Sequence, residues 1–484
     1  MYDRMQTLTM EELNVIHNAS MQILSSTGVA FNEQEALDLF QGRGFSVAGK
    51  TVRFNENQVQ EALATAPSRF RLIARNPDKS VSVGEDDWVF VPTYGAPFMV
   101  DHDGRQRPGS MQDYDTICKL VQTSAHIDMN GYKHVEPQDV PSQFAYLDML
   151  MSNIVLCDKA FMGSPDSRQA AKDCIEMAAI VFGGKDALSD KPVTVSLINS
   201  LSPLQYSSEM AGAVIEFAKC RQPLLIANMI MGGTSGPVTL PELLVLMNVE
   251  ILAGLVLAQL AGPGTPIIYG TTSCPTNMMT GAATVGTPET AIISSMAAQL
   301  ARFYKLPCRT GGSLTDALAP DAQALAEGAM TLITTVRNGG NFILHSCGMM
   351  GGYIGNSLEK WLIDEELCGM VRRMMTPLEI DPAKMDPDII TRVGAGGTYL
   401  MQPETLKLCR TAYFNYSLFN KKGGSDSKQP RPDIMQAASD RLAQRIAGYE
   451  KPDIDPGIEA DLRQFVKTRK GSGAYPSTAQ KGGF

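Results

Sequence analysis

PCRTGGSLTDALAPDAQALAEGAMTLITTVRNGGNFILHSCGMMGGYIGNSLEKWLID, residues 307–364, is the stretch whose reading decides the fold. Two short apolar runs, Pro307-Cys308-Arg309 and Asn341-Phe342-Ile343-Leu344, each lead into glycines and polar groups. Gly311-Gly312-Ser313-Leu314-Thr315-Asp316 follows the first, and His345-Ser346-Cys347-Gly348 follows the second. Between them, residues 321–337 are alanine-rich and of helical composition. The order is strand, loop, helix, strand, loop, with polar groups always just past the strand. Strands buried on both faces read as short apolar runs, and α/β enzymes carry their chemistry at the carboxyl ends of such strands.

The same unit recurs upstream. Candidate strands lie at 88–92, 127–132, 160–163, 193–199, 224–230, 266–271, 306–310 and 341–345. The later ones start about 30 to 40 residues apart, which leaves room for a helix in each gap. Eight such units predict an α/β fold of the (β/α)8 TIM-barrel kind, although a doubly wound open sheet has the same alternation. The barrel is expected over residues 86–375. Residues 1–85 read as an N-terminal helical and β extension: Thr9 before Glu11-Glu12 opens a helix, and a hairpin turns at Gly49-Lys50. Residues 376–484 read as a C-terminal helical extension, with a helix at 433–449 and a tail from Lys467 of disordered composition.

Composition narrows the class. The 484 residues carry a net charge of −9 and no basic run of nucleic-acid type. Nine scattered cysteines without a C-x-x-C pair suit a reducing cytoplasm and predict neither a disulfide framework nor a zinc knuckle. No metal is expected, because the five histidines form no H-x-H or H-E-x-x-H pattern. The most apolar stretch, 240–261, includes Glu242, Asn248, Glu250 and Gln259, so it reads as a buried helix rather than a membrane span.

If the barrel holds, its mouth gathers Tyr94, Phe98, Tyr132, Asn199, Tyr269, Arg309, Asp316, His345 and Tyr353. Tyrosines recur there, and aromatic faces bind quaternary ammonium groups by cation–π attraction, ~2 kcal/mol or more per ring when water is excluded. Arg309 is placed to grip a carboxylate bidentately, or to pair with a loop acid such as Asp316. Gly311, Gly312, Gly348 and Gly351 would let a flat cofactor surface come close. They form no dinucleotide-binding G-x-G-x-x-G.

Longer motifs carry a resemblance. They are Leu13-x-x-Ile16-His17-x-Ala19-Ser20, Ala74-Arg75-Asn76-Pro77, Tyr94-Gly95-Ala96-Pro97 and Pro263-Gly264-Thr265-Pro266. The most specific are Gly311-Gly312-Ser313-x-Thr315-Asp316-Ala317, Pro320-Asp321-x-Gln323-Ala324, and Leu358-Glu359-Lys360 with Asp364-Glu365. Over nearly its full length the chain resembles the trimethylamine methyltransferase family, in its non-pyrrolysine branch of quaternary amine:corrinoid methyltransferases. The resemblance implies a TIM barrel and methyl transfer to cob(I)alamin carried by a separate small corrinoid protein, with no cofactor held tightly by this chain. Ordinary residues fill the region where trimethylamine enzymes carry pyrrolysine, which points to a betaine: glycine betaine, or proline betaine, carnitine or γ-butyrobetaine. A non-catalytic betaine-binding protein is the alternative of another class.

On this reading Tyr94, Phe98, Tyr132, Asn199, Tyr269, Arg309 and Tyr353 bind substrate and His345 and Asp316 are catalytic. Gly311, Gly312, Gly348 and Gly351 face the corrinoid. A homo-oligomer in the cytoplasm is expected, with neither nucleic acid nor membrane as partner.

Overall fold

The computed structural model describes residues 4–420 and 433–471. Its centre is a curled sheet of seven parallel strands in a mixed α/β fold. In sheet order these are Val89–Phe90, Phe342–Ile343, Cys308–Arg309, Ile267–Gly270, Leu224–Ala227, Thr194–Asn199 and Phe161–Gly163. Arg309 lies opposite Gly270 on one side and Phe342 on the other.

The strand expected at 127–132 is reduced to an isolated bridge. Asn130 pairs with Phe161, while Asp128 N–H donates to the Phe90 carbonyl at 3.0 Å. The Asp128 carboxylate accepts the Phe90 N–H at 2.7 Å, a donor that a strand carbonyl would take in a regular ladder. A side chain standing in for backbone ends the ladder there.

Helix Leu240–Ala261 runs beneath the sheet. It is long and apolar enough to cross a membrane, but 89% of its most apolar window is buried in the fold. Its polar groups are satisfied in place. The Glu250 carboxylate accepts from Ser200, Ser202 and the Leu204 N–H, at 2.6, 2.8 and 2.8 Å. Helix Met10–Ser26 starts at a Thr9–Glu12 capping box and packs along it. Strand Val29–Phe31 pairs with the 51–53 strand and also with Gln205–Tyr206, so the N-terminal segment is stitched to the central fold.

A second sheet, Met349–Met350, Gly355–Asn356, Phe98–Val100 and Gln106–Pro108, is built from the connections that follow the Phe342 and Val89 strands. At the other end of the chain, helix Ile434–Ala447 packs on helix Leu358–Met375. Helix Pro456–Gly471 continues past Lys467, which corrects part of the expected disordered tail. Lys470 bonds Asp148 at 2.6 Å and Arg469 bonds Asp173 at 3.0 Å, contacts that hold the last turn. Residues 472–484 of that tail lie outside the described residues.

Candidate active site

Arg309 closes a two-residue strand between two neighbours, in register with Gly270, which supplies no side chain on its face, and with Phe342 on the other side. The guanidinium is buried, with the residue 1% exposed. Its Nε has no hydrogen-bond partner, and among the described residues no carboxylate pairs with it. Burial lowers its pKa to about 10, opposed in part by Tyr353, Cys308 and Tyr94, so it stays cationic at neutral pH. A buried, unpaired charge is costly and does not persist for packing alone.

Two tyrosines and a histidine surround it. The Tyr353 ring lies 5.0 Å from that of His345, centroid to centroid. The Tyr353 hydroxyl faces Thr272 but forms no well-aligned hydrogen bond. Tyr94 lies 6.1 Å from Tyr132. Burial raises the phenol pKa of all three tyrosines, which keeps them neutral. The Tyr94 N–H donates to His345 Nδ1 at 3.3 Å, which fixes the tautomer with the proton on Nε2. Burial, then the Arg309 charge, push the His345 pKa well below its ordinary value, so the ring is a neutral imidazole.

His345 and Tyr353 both sit in the left-handed backbone region, with φ of 61° and 74°. Such non-glycine residues cost roughly 1–3 kcal/mol each and cluster at functional sites. Beside His345, Asp364 holds the backbone. It accepts the Gly348 N–H at 2.8 Å and the Ser313 hydroxyl at 2.7 Å, and the Ser313 N–H donates to the His345 carbonyl at 2.9 Å. Lys360 neutralises Asp364 at 2.7 Å, fully buried. The Leu358-Glu359-Lys360 and Asp364 motif thus braces the loop that carries His345.

Asp166 was not anticipated from the sequence. It follows strand Phe161–Gly163 and accepts from the Tyr132 hydroxyl at 2.7 Å and Lys133 at 2.9 Å. Burial opposes its charge, but Lys133 and these hydrogen bonds outweigh that and hold its pKa below the usual range. Tyr94 feels both Asp166 and Arg309, so the cluster is negative at one end and positive at the other. The Ser164-Pro165-Asp166 loop after a short apolar run was the only signal.

Several expected site residues lie elsewhere or do other work. Tyr269 turns outward: its hydroxyl donates to Asn248 on the buried helix at 3.0 Å, and its ring stacks 6.3 Å from Tyr304. Strand alternation explains this, because Gly270 faces the same side as Arg309 and Tyr269 faces the opposite one. Asn199 is exposed at its strand end. Phe98 is half-buried in the second sheet, opposite Pro108. Asp316 does not pair with Arg309. Its carboxylate accepts the Val285 and Gly286 N–H groups at 2.7 and 3.0 Å and closes that loop.

The glycines Gly311, Gly312 and Gly348 admit this chain's own atoms rather than an open surface. A Cβ on Gly312 would meet the Leu344 carbonyl at 2.3 Å, and one on Gly348 the Asn356 side chain at 2.3 Å. One on Gly311 would meet the Thr335 hydroxyl at 1.9 Å. Gly351 alone of the four has no neighbour closer than 3.5 Å. Among the described residues no cluster of three or more His, Cys, Asp or Glu is placed to hold a metal.

A buried guanidinium, neutral phenols and a neutral imidazole stand together at the carboxyl ends of parallel strands, the place where α/β enzymes carry their chemistry. The trimethylamine methyltransferase (MTTB) family profile matches residues 1–474, and the chain belongs to that family. It is 41% identical to the glycine betaine methyltransferase of Desulfitobacterium hafniense (strain Y51), over 96% of both chains. It is 30% identical to the proline betaine:corrinoid methyltransferase of Eubacterium limosum, over 94% of this chain and 96% of that one. The monomethylamine methyltransferase structure from Methanosarcina barkeri overlays with a TM-score of 0.49 at 10% identity, covering 76% of this chain and 85% of that one. The chain is a methyltransferase.

Proposed function

We propose that the chain moves one methyl group from a small quaternary amine, glycine betaine in the first instance, to the corrinoid of a separate carrier protein. The unpaired Arg309 guanidinium among neutral tyrosines carries this reading. It offers one end to a carboxylate and aromatic faces to a permanent cation. The 41% identity to a glycine betaine methyltransferase supports that betaine first.

The chemistry follows from the charges. The substrate carboxylate supplies the anion that Arg309 lacks, in the bidentate geometry guanidinium favours. Neutral His345 turns its Nε2–H to the same group. Tyr94, Tyr132 and Tyr353 receive the trimethylammonium on their faces, and Asp166 behind Tyr132 adds a negative field. Neutral phenols hold the cation without cancelling its charge, which matters because that charge is lost as the C–N bond breaks.

Bound to its own carrier, cob(I)alamin supplies the electron pair that takes the methyl group. The C–N pair stays on nitrogen and dimethylglycine leaves with a neutral amine. No acid is needed, in keeping with a neutral His345 and an Asp316 fully engaged elsewhere. The chain's task is alignment and exclusion of water.

The rim suits a flat visitor better than the glycines do. Leu201, Met229, Val238, Met279, Leu318 and Ile354 are exposed on the connections after five strands, Met279 at 95%. We also read the central sheet as a closed eight-membered barrel. Its two edge strands both bond to residues 128–130, which supports that closure.

The test mixes the protein, glycine betaine and a reduced corrinoid carrier. Cob(I) absorbance should fall, with one dimethylglycine formed per methyl moved. No reaction with glycine betaine, proline betaine, carnitine or γ-butyrobetaine would sink the reading.

A further inference from the structure

Tyr353 stands at the tip of a tight hairpin. Strands Met349–Met350 and Gly355–Asn356 pair antiparallel, and the tip between them brings the Tyr353 ring to His345. Gly351, Gly352 and Tyr353 have φ of 57°, 64° and 74°, three left-handed residues in succession. Chains of L-residues visit that region singly, and a tyrosine pays a steric penalty there that glycine escapes. Such a tip needs support from outside the hairpin.

The support comes from residues 315–317. The Gly351 N–H donates to the Ala317 carbonyl and the Gly352 N–H to the Thr315 carbonyl, both at 3.0 Å. Between those carbonyls lies Asp316, whose side chain reaches the other way. Its two oxygens accept the Val285 and Gly286 N–H groups, both on buried residues, and so draw the 283–286 loop against the same tip. A Cβ on Gly352 would stand 3.0 Å from the Ala283 carbonyl and 3.6 Å from Asp316 Oδ1. Val285 joins Cys274, Leu314 and Met349 in the apolar cluster on which Tyr353 packs. Glu327, on helix Ala322–Arg337, fixes Asp316 from behind. It accepts the Asp316 N–H at 2.9 Å and the Thr315 hydroxyl at 2.6 Å.

We propose that Asp316 is a positioning residue: its carboxylate sets the Tyr353 ring by holding the 283–286 loop beneath it, and affinity for the substrate cation follows from where that ring stands. The proposal rests on the reading of the ring as a face for the quaternary ammonium. A carboxylate suits the task because it accepts two N–H groups at once, whereas an amide of the same shape presents its NH2 to one of them. A buried N–H that loses its acceptor is costly, so the loop shifts toward another partner. Close-packed side chains pass such a shift to their neighbours, and here the neighbour is Tyr353.

Two measurements on the full chain test this. Fluorine NMR of protein carrying meta-fluorotyrosine reads the ring directly, with the Tyr353 and Tyr132 resonances assigned by their loss in Tyr353→Phe and Tyr132→Phe. Asp316→Asn should move or broaden the Tyr353 resonance and leave that of Tyr132 in place. Calorimetric titration with glycine betaine, without a carrier protein, reads affinity. Asp316→Asn should weaken binding about tenfold, the order of one cation–π contact. On a Tyr353→Ala background the same substitution should change it by about twofold at most, because a residue that acts through the ring then has nothing to act on. If Asp316→Asn does not accumulate in soluble form, Glu327→Gln, which loosens the same junction from behind, carries both measurements. An unmoved Tyr353 resonance, or losses at the two positions that multiply, would overturn the positioning role. A wild type that binds no betaine, with the Tyr353 resonance still shifted by Asp316→Asn, would count against the substrate reading and for the positioning of the ring.

Discussion

Two polar clusters lie on opposite faces of neighbouring strands, and they are finished differently. Behind the sheet, Tyr269, Asn248, Ser20, Tyr304 and His17 form a closed network. Asn248 Oδ1 accepts from Tyr269, its amide donates to Ser20 and Tyr304 at 2.9 and 2.8 Å, and His17 Nδ1 lies 3.0 Å from the Tyr304 hydroxyl. In front of it, Arg309 Nε and the Tyr353 hydroxyl are left open, on a backbone held in the left-handed region at His345 and Tyr353. The closed cluster stabilises the fold. The open one leaves buried polar groups without partners, at a cost to stability.

The largest contrast comes from removing one residue of each cluster. Arg309→Met removes an uncompensated buried charge. The melting temperature should hold or rise, while kcat/KM for the betaine falls about a thousandfold, ~4 kcal/mol, mostly through KM. Asn248→Ala should do the reverse, losing about 2–3 kcal/mol of stability with KM unchanged. Chemical denaturation and steady-state kinetics on both variants measure this. An Arg309→Met protein as active as wild type would erase the distinction.

A smaller effect should come from pH. His345 and His134 are both buried, and burial holds the His134 pKa at about 4. Their folded values lie below the ordinary one, so below about pH 6.5 the unfolded chain binds protons that the folded chain does not. Stability is therefore full above that pH and declines as pH falls from about 6.5 toward 4. Between pH 6.5 and 5 His134 costs about 1.6 kcal/mol, and His345 adds to the loss in the same direction. Denaturation midpoints across that window, with His134→Asn as the comparison, check the sign: the variant should fall less.

The smallest and sharpest pair is Tyr269→Phe against Tyr353→Phe. The first breaks a made hydrogen bond and should cost about 1 kcal/mol of stability. The second removes a hydroxyl without an aligned partner and should cost none. Equal losses would mean the clusters are not finished differently at all.

Position along the chain picked out residues that the fold brings together: Tyr94, Tyr132, Arg309, His345 and Tyr353 each come after a short apolar run and form one cluster. Tyr269 shows the limit. It too stands at a strand end, but two-residue alternation sends it to the helix layer, and only the Arg309–Gly270 register reveals which side is which. Asp166 was overlooked because its two partners, Tyr132 and Lys133, arrive from a distant segment. The glycines misled because Gly311, Gly312 and Gly348 make room for Thr335, the Leu344 carbonyl and Asn356, contacts that no local pattern encodes. The regular strand expected at 127–132 failed for a local reason, the Asp128 carboxylate taking the Phe90 N–H.

The lone guanidinium also has a practical bearing on how the enzyme is handled. Any small carboxylate in solution offers Arg309 the counter-charge that it lacks. Acetate or formate buffers should therefore protect the resting protein against heat and, by the same contact, slow its turnover in competition with the betaine.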